Sequence, residues 1–514
     1  MRDGTQAAGV SLSIEDKIRI AIALDDLGID YIEGGWPGSN PKDSEFFKEI
    51  KRYGLAYSKV VAFGSTRRKD LRVDNDPNIY AIIKADVDVA VLFGKAWTLH
   101  VRDVLRVPED INLNMIYESI DYLKSHGIEV LFDAEHFYQG FKDDPEYALE
   151  VIMTAEQAGA SAVILADTTG STTPMEIYDI TRRVSNHVKV KIGLHMHNDI
   201  GCAVANTLMG VVAGARHVQG TINGIGERAG NADLVQVLPT LAFKMNFKVL
   251  KDLESFKKLR EVSQLVYRLT GVEPNPYQPY VGEYAFAHKA GIHVDAVLKN
   301  PRAYEHIDPS VVGNNRIIVV SELSGVSNII ALLKDLGIDL NKRDERIRKA
   351  LMKIKSLEKQ GYAFNTAPAS AILEVLRELG VKRNIISRYS WTIFTDSTGA
   401  SIAIVNLNEI NDRATDIDAI TALKKAFEEA VRRLLSNHNT VKTSSFSVLL
   451  LPDGAYRVTV GFTDGFQTWA TQGVSMNMID ALIKALIDGI EYYSVVRELR
   501  KTDINGSNIA TLFP

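Results

Sequence analysis

The chain has 514 residues, too many for one ordinary domain of roughly 100–200, and its 46% apolar and 24% charged residues suit a globular protein with a large core. A formal net charge of -5 without a basic tract argues against sequence-independent binding to nucleic acid or to an anionic membrane. Cys202, the single cysteine, leaves no intrachain disulfide and no thiolate zinc site and fits a reducing, cytoplasmic setting; no run of 18 apolar residues predicts a membrane span, and MRDGTQAAGVSLS lacks the regions of a signal peptide.

Ser13 is placed to cap a first helix, with Asp16 three residues on and Ile14, Ile18, Ile22 and Leu27 as its apolar face. Seven β-prone runs follow: Tyr31–Gly34, Val60–Phe63, Val87–Phe93, Glu129–Ala134, Ala162–Asp167, Val190–His197 and His217–Thr221. Helical spacing separates them, with Gly159 as a stop and Pro174 as an early helical position. Repeated strand–helix units predict parallel strands covered by helices. Polar residues at the strands' C-terminal ends favour a TIM (β/α)8 barrel over an open doubly wound sheet. Only seven strands are found, so the first is expected to be missing before Arg2, through truncation or a start assigned too far downstream.

The barrel domain is taken as residues 1–300. Residues 301–384 read as a helical linker, with helices at Ser327–Leu336, Lys342–Gln360 and Ala367–Leu379. Residues 385–514 form a third, α/β unit of duplicated ββα pattern. Two strands lie around DSTG before a helix at Asp416–Leu434, and two more around PDG before a helix at Met476–Tyr492. The tail NGSNIATLFP is expected to be loose.

Four clusters carry candidate chemistry. Arg2 and Asp3 stand in RDGTQ, which otherwise makes an ordinary surface turn. In HMHND, His195 and His197 point to one face of a strand, where both imidazoles reach one divalent ion; two structural histidines fit the same spacing. Asn198 and Asp199 are placed to fix histidine tautomers or to accept ligand bonds. NGIGERAGN supplies glycines for tight turns or close ligand approach, outside the strand–helix context of a nucleotide fingerprint. HKAGIH places two histidines and a permissive glycine in a loop after the barrel, where packed polar side chains are the plainer alternative. Glu33 and Glu135 add carboxylates near strand ends.

Taken together, RDGTQ, GGWPGSNPKD, HMHNDIGCAVAN, NGIGERAGNADL and AGIH resemble the barrel acyltransferases that include the 2-isopropylmalate, homocitrate and citramalate synthases. The resemblance runs along nearly the whole chain, and the five motifs keep their order. GGWPGSNPKD and FDAEHFYQGF are most similar to the pyruvate-using, citramalate-forming branch on the route to isoleucine. The chain departs from the pattern in the absent first strand and in Ala8, where a glutamate is frequent.

The resemblance implies a divalent metal, Mg2+, Mn2+ or Zn2+, on Asp3, His195 and His197, with Asn231 in or near its shell. It implies Arg2 as stabiliser of an oxyanion and Glu135 and His293 as proton-transfer groups. It places Thr168 and Tyr304 against substrate, and Gly224, Gly226 and Gly230 against the acyl-thioester end of acetyl-CoA. It further implies a homodimer and a C-terminal effector-sensing domain for isoleucine or leucine. The alternatives are a 2-isopropylmalate-forming enzyme taking 2-oxoisovalerate, a lyase acting in the reverse direction, and a non-catalytic amino-acid sensor on a decayed barrel.

Overall fold

In the computed structural model the seven β-prone runs become seven parallel strands in sequence order. They are β1 (Tyr31–Gly35), β2 (Lys59–Ser65), β3 (Val89–Lys95), β4 (Glu129–Glu135), β5 (Ala162–Asp167), β6 (Lys191–Met196) and β7 (His217–Gln219). The structure describes residues 1–321, 324–334, 336–338, 340–381, 385–435 and 441–504, so the tail NGSNIATLFP lies outside the described residues. Strand alternation sorts the side chains onto two faces. Val61, Phe63, Val91, Leu131 and Ile164 form an inner cluster, while Val130, Phe132, Ala134 and Leu165 join the larger core beneath the helices. β5 reads AVILAD and is buried throughout, the pattern of a strand covered on both faces.

The sheet curls until its first and last strands come close, with the Tyr31 and His217 rings 5.8 Å apart. β1 and β7 are not hydrogen-bonded to each other, and no eighth strand completes the sheet among the described residues. A cavity of about 850 Å3 runs along their edges, from Lys59 and Glu129 at one end to Asp3 and His195 at the other.

Local signals fix the helices on the sheet. Ser13 and Asp16 form a reciprocal capping box on the helix Ile14–Leu27, and Gly28 ends it at φ 86°. Its buried stripe is Ile18, Ala21, Leu24 and Leu27, whereas Ile22 is exposed. Two four-residue steps from Ile14 rotate by roughly 80° around the axis and carry Ile22 off that stripe. Gly159 closes the helix Pro145–Ala158 in the left-handed region, and Pro174 opens the helix Pro174–Val184.

Two compact units divide the chain: Met1–Phe286 with Ile307–Asn315, and Ala287–His306 with Arg316 onward. The second unit begins with β8 (Ala287–His288), the helix Gly291–Lys299 and β9 (Ile317–Ile318), parallel to β8. The helices Val326–Lys334, Glu345–Lys359 and Pro368–Glu378 follow, around Leu333, Ile354, Phe364 and Leu376. Two antiparallel sheets come next: β10 (Tyr389–Thr395), β11 (Ser401–Leu407) and β12 (Ile410–Asp416) with the helix Ala419–Leu434, then β13 (Lys442–Leu450), β14 (Tyr456–Thr463) and β15 (Thr468–Ser475) with the helix Met478–Ile504.

The duplicated unit is therefore βββα, not ββα. Its extra strands are the polar INDRATD and the mixed TWATQGVS, whose composition hides them from a search for apolar runs. Val405, Phe427, Val460, Phe462 and Leu486 share one core. No helix among the described residues is long and apolar enough to cross a membrane.

Candidate active site and metal centre

β6 delivers His195 and its extension delivers His197, two residues apart and therefore on one face of the sheet. Asp3 arrives from the short helical turn Asp3–Gln6, whose entry is tied down by the Arg2 amide donating to the Glu33 carbonyl at 3.2 Å. Asn231 reaches the same point because the loop after β7 folds back, with Asn231 bridged to His197 and the Ala232 amide donating to the Met196 carbonyl at 2.9 Å. One ligand atom each from Asp3, His195 and His197 lies within 4.8 Å of the others, and all three residues are buried. His195 Nε2 stands 3.1 Å from Asp3 Oδ2 and 3.3 Å from His197 Nε2.

The donor set suits a divalent cation. His195 Nδ1 meets Gln219 Oε1 at 2.8 Å, so its N–H donates there and Nε2 is the nitrogen that faces Asp3. Asp3 Oδ1, His197 Nδ1 and Asn231 Oδ1 are buried without hydrogen-bond partners. Such atoms are costly unless something else engages them. Electrostatics divides the two imidazoles. Burial opposes a charge on His195, but the bond to Asp3 outweighs it and pushes the pKa up to about 9. Burial and the neighbouring His195 push His197 down to about 4. Asp3 is penalised by burial yet held far below the usual carboxylate range by His195 and Arg2. A dication on these atoms would compete with the His195 proton.

Arg2 lies half-buried beside this centre. Its Nε donates to Glu33 Oε2 at 3.0 Å, its Nη1 to Gln6 Oε1 at 3.0 Å, and its guanidinium lies 3.7 Å over the Phe63 ring. Burial works against its charge, and Glu33 and Asp3 more than restore it. Phe63 stacks on Phe93 with centroids 5.3 Å apart, and Trp36 sets its edge against both.

Chain 1–266 matches the family model described as HMGL-like, and 280–362 matches the model described as homocitrate synthase post-HMGL domain-like. The (R)-citramalate synthase of Sulfolobus acidocaldarius is 54% identical over 98% of this chain and 97% of its own length. The chain belongs to the HMGL-like family. The (R)-citramalate synthase of Aquifex aeolicus is 45% identical over 96% of each chain, and the 2-isopropylmalate synthase of Methanocaldococcus jannaschii 33% over 97% of this chain and 94% of that one. These full-length matches set this HMGL-like protein among the citramalate and 2-isopropylmalate synthases.

The remaining expected site residues are divided between the two units. Glu135, at the end of β4, forms an ion pair with Lys95 at the end of β3. Thr168, just past β5, accepts from the His136 amide at 2.8 Å, and its carbonyl accepts from Arg228 at 2.7 Å. The three glycines shape the loop around Asn231. A Cβ on Gly226 would lie 1.8 Å from Asn231 Oδ1, and Gly230, at φ 93°, would carry one 2.0 Å from the Gly224 carbonyl oxygen. Asn198 and Asp199 do not set the histidine tautomer, which Gln219 holds. Asn198 accepts from the Ala203 amide, and Asp199 pairs with Arg228. His293 and Tyr304 belong to the second unit, where their rings stack 4.3 Å apart.

Sequence reasoning passed over Lys95, Asp133 and Gln219. Gln219 had a legible signal, as an inward position at the end of the last strand. Lys95 lies just beyond the β-prone run that ended at Phe93. Asp133 is buried on β4 with Oδ1 unpartnered, and burial pushes its pKa up to about 6.

Proposed function

We propose that the chain is an (R)-citramalate synthase, joining acetyl-CoA to pyruvate with water and releasing CoA. The observation that carries this reading is the buried Asp3–His195–His197 cluster, in a chain matched end to end by (R)-citramalate synthases. Metal-dependent acyl transfer is the broader statement that the cluster and the family support together. An Asp–His–His set accepts Mg2+, Mn2+ or Zn2+.

A dication held by Asp3, His195 and His197, with Asn231 beside it, would supply Lewis-acid polarisation of the keto group. Arg2, fixed by Glu33 and Gln6, faces the oxygen that gains negative charge and lowers the barrier there. His293 takes a methyl proton from the acetyl group, and Glu135 serves the same proton relay. The methyl carbon then bonds to C2 of pyruvate, and the former ketone oxygen gains a proton. Water adds to the thioester carbonyl and CoA leaves as its thiol. Thr168 and Tyr304 orient the substrate, and the loop Gly224, Gly226 and Gly230 takes the thioester end.

One feature favours pyruvate over 2-oxoisovalerate. Phe63, Phe93 and Trp36 pack bulky rings beside Arg2, where a methyl group fits more readily than an isopropyl group. The same proposal includes an eighth strand in the space between β1 and β7, closing a (β/α)8 barrel, and a homodimer regulated by isoleucine or leucine at the paired βββα units. A CoA-release assay with pyruvate, 2-oxobutyrate, 2-oxoisovalerate and 2-oxoglutarate tests the reaction. Pyruvate is expected to give the highest kcat/KM; a preference for 2-oxoisovalerate would replace citramalate by 2-isopropylmalate as the product.

A further inference from the structure

His293 and Tyr304 are exposed, with their rings stacked 4.3 Å apart at 30°. The next residue, Glu305, is the opposite: its side chain is 3% exposed and fully engaged. Arg316 grips it as a fork, Nε to Oε1 at 2.5 Å and Nη2 to Oε2 at 2.6 Å, and His288 Nε2 stands 3.2 Å from Oε1. Burial works against its charge, and Arg316 and His288 overcome that penalty. Arg316 leads into β9 and His288 ends β8, so one carboxylate ties together two paired strands and the turn that carries Tyr304.

The helix bearing His293 is pinned by separate contacts. Gly291 sits so close to Gly325 that a Cβ would lie 2.8 Å from the Gly325 nitrogen. Asn328 donates to the Lys289 carbonyl at 3.1 Å, and Asp295 accepts from Ser327 at 3.0 Å and from Lys342 at 2.6 Å. The turn bearing Tyr304 has its own short-range bonds, from the Tyr304 and Glu305 amides to the Pro301 carbonyl. Through Arg316 and His288, Glu305 couples that turn to the β8–β9 pair.

We infer that Glu305 is a positioning residue, whose clamp on Arg316 and His288 fixes the Tyr304 ring against the His293 imidazole. The inference rests on the reading of His293 and Tyr304 as reaction-site groups. Physical chemistry favours geometry over stability as the role of this clamp. A buried ion pair gains little over apolar packing of the same volume, whereas a bidentate fork fixes orientation as well as distance. A ring pair displaced by an ångström loses alignment for proton transfer even when the fold is intact.

The test uses the full-length protein with Mn2+, acetyl-CoA and pyruvate. Glu305→Gln keeps the shape and removes the charge. It is expected to lower kcat by about 10- to 100-fold, with KM for pyruvate within about twofold and the thermal midpoint little changed. In a His293→Ala background the same substitution is expected to cost nothing further, because the imidazole against which Tyr304 is held is gone. Losses that add in full, or wild-type kcat in E305Q, would overturn the inference while leaving the site reading intact. Wild-type turnover in H293A would instead overturn the site reading, and this inference with it. If E305Q does not accumulate as folded protein, Arg316→Lys keeps the charge, loses the fork and is read by the same cycle.

Discussion

The two units treat buried polar groups in opposite ways. In the first, Asp3 Oδ1, Glu33 Oε1, Asp133 Oδ1, His197 Nδ1 and Asn231 Oδ1 are buried without partners, close to where the strands end. The described residues of the second unit hold no such atom, although that unit buries Glu305, Asn328, Gln472 and Glu491. Gln472 shows the contrast best. Its Oε1 accepts from the Ala363 amide at 2.8 Å, and its Nε2 donates to Thr366 at 2.7 Å and Thr459 at 2.9 Å. Unsatisfied groups withheld from the fold mark where a ligand is to be engaged, and saturated groups mark where architecture is fixed.

The strongest way to break this comparison is at the metal centre. Asp3→Ala and His195→Ala should each lower turnover by about 10^3-fold or more, because several kcal/mol of Lewis-acid stabilisation go with the cation. Bound metal, measured by elemental analysis after gel filtration, should fall with activity. Normal turnover with normal metal content in both variants would remove the site. Stability should fall much less than activity, since these groups are poorly satisfied by the protein itself.

The converse prediction concerns the saturated unit. Gln472→Ala strips three hydrogen bonds at a fully buried position and should cost about 3 to 4 kcal/mol in urea unfolding. The basal kcat of the folded fraction should stay within about twofold, with one turnover assay giving the comparison. A variant as stable as the parent but catalytically impaired would reverse the roles assigned to the two units.

Much of this was legible in the chain. The seven strands came from short β-prone runs, and the cap at Ser13 and the stop at Gly159 follow from local backbone rules. His195 and His197 could be paired from strand alternation alone. Asp3 could not, because it is joined to them across 192 and 194 positions only by the tertiary fold; resemblance supplied that link. What the pattern concealed was polar: β12 lacks apolar alternation strong enough to announce a strand, and Asp133 reads as a surface carboxylate until the sheet curls around it.

Asp133 sharpens the comparison through pH. Its carboxyl is pushed from an ordinary value near 3.8 up to about 6, so the folded state keeps a proton that the unfolded chain releases across that window. Stability therefore falls as pH rises from about 4 to about 6, and the penalty is complete above it. Asp133→Asn keeps the shape without the charge. In chelator-treated protein it should raise unfolding free energy by up to about 3 kcal/mol at pH 8 and change little at pH 4. Urea titrations at the two pH values decide it, and equal destabilisation at both would show that the carboxylate is well accommodated.

The smallest predicted effect tests which side of the centre sets substrate size. Phe63 stacks on Phe93, meets the edge of Trp36 and carries the Arg2 guanidinium on its face, so its removal both opens space and loosens Arg2. Absolute turnover of Phe63→Ala mixes these two effects and is a poor readout. The ratio of kcat/KM for 2-oxobutyrate to that for pyruvate largely cancels the Arg2 contribution, because both acids present the same keto group to it. One methylene in an apolar pocket is worth about 1 to 3 kcal/mol, so the ratio should move toward 2-oxobutyrate by about tenfold or more. An unchanged ratio would place the methyl-facing wall elsewhere and free the aromatic trio for a purely structural role in holding Arg2.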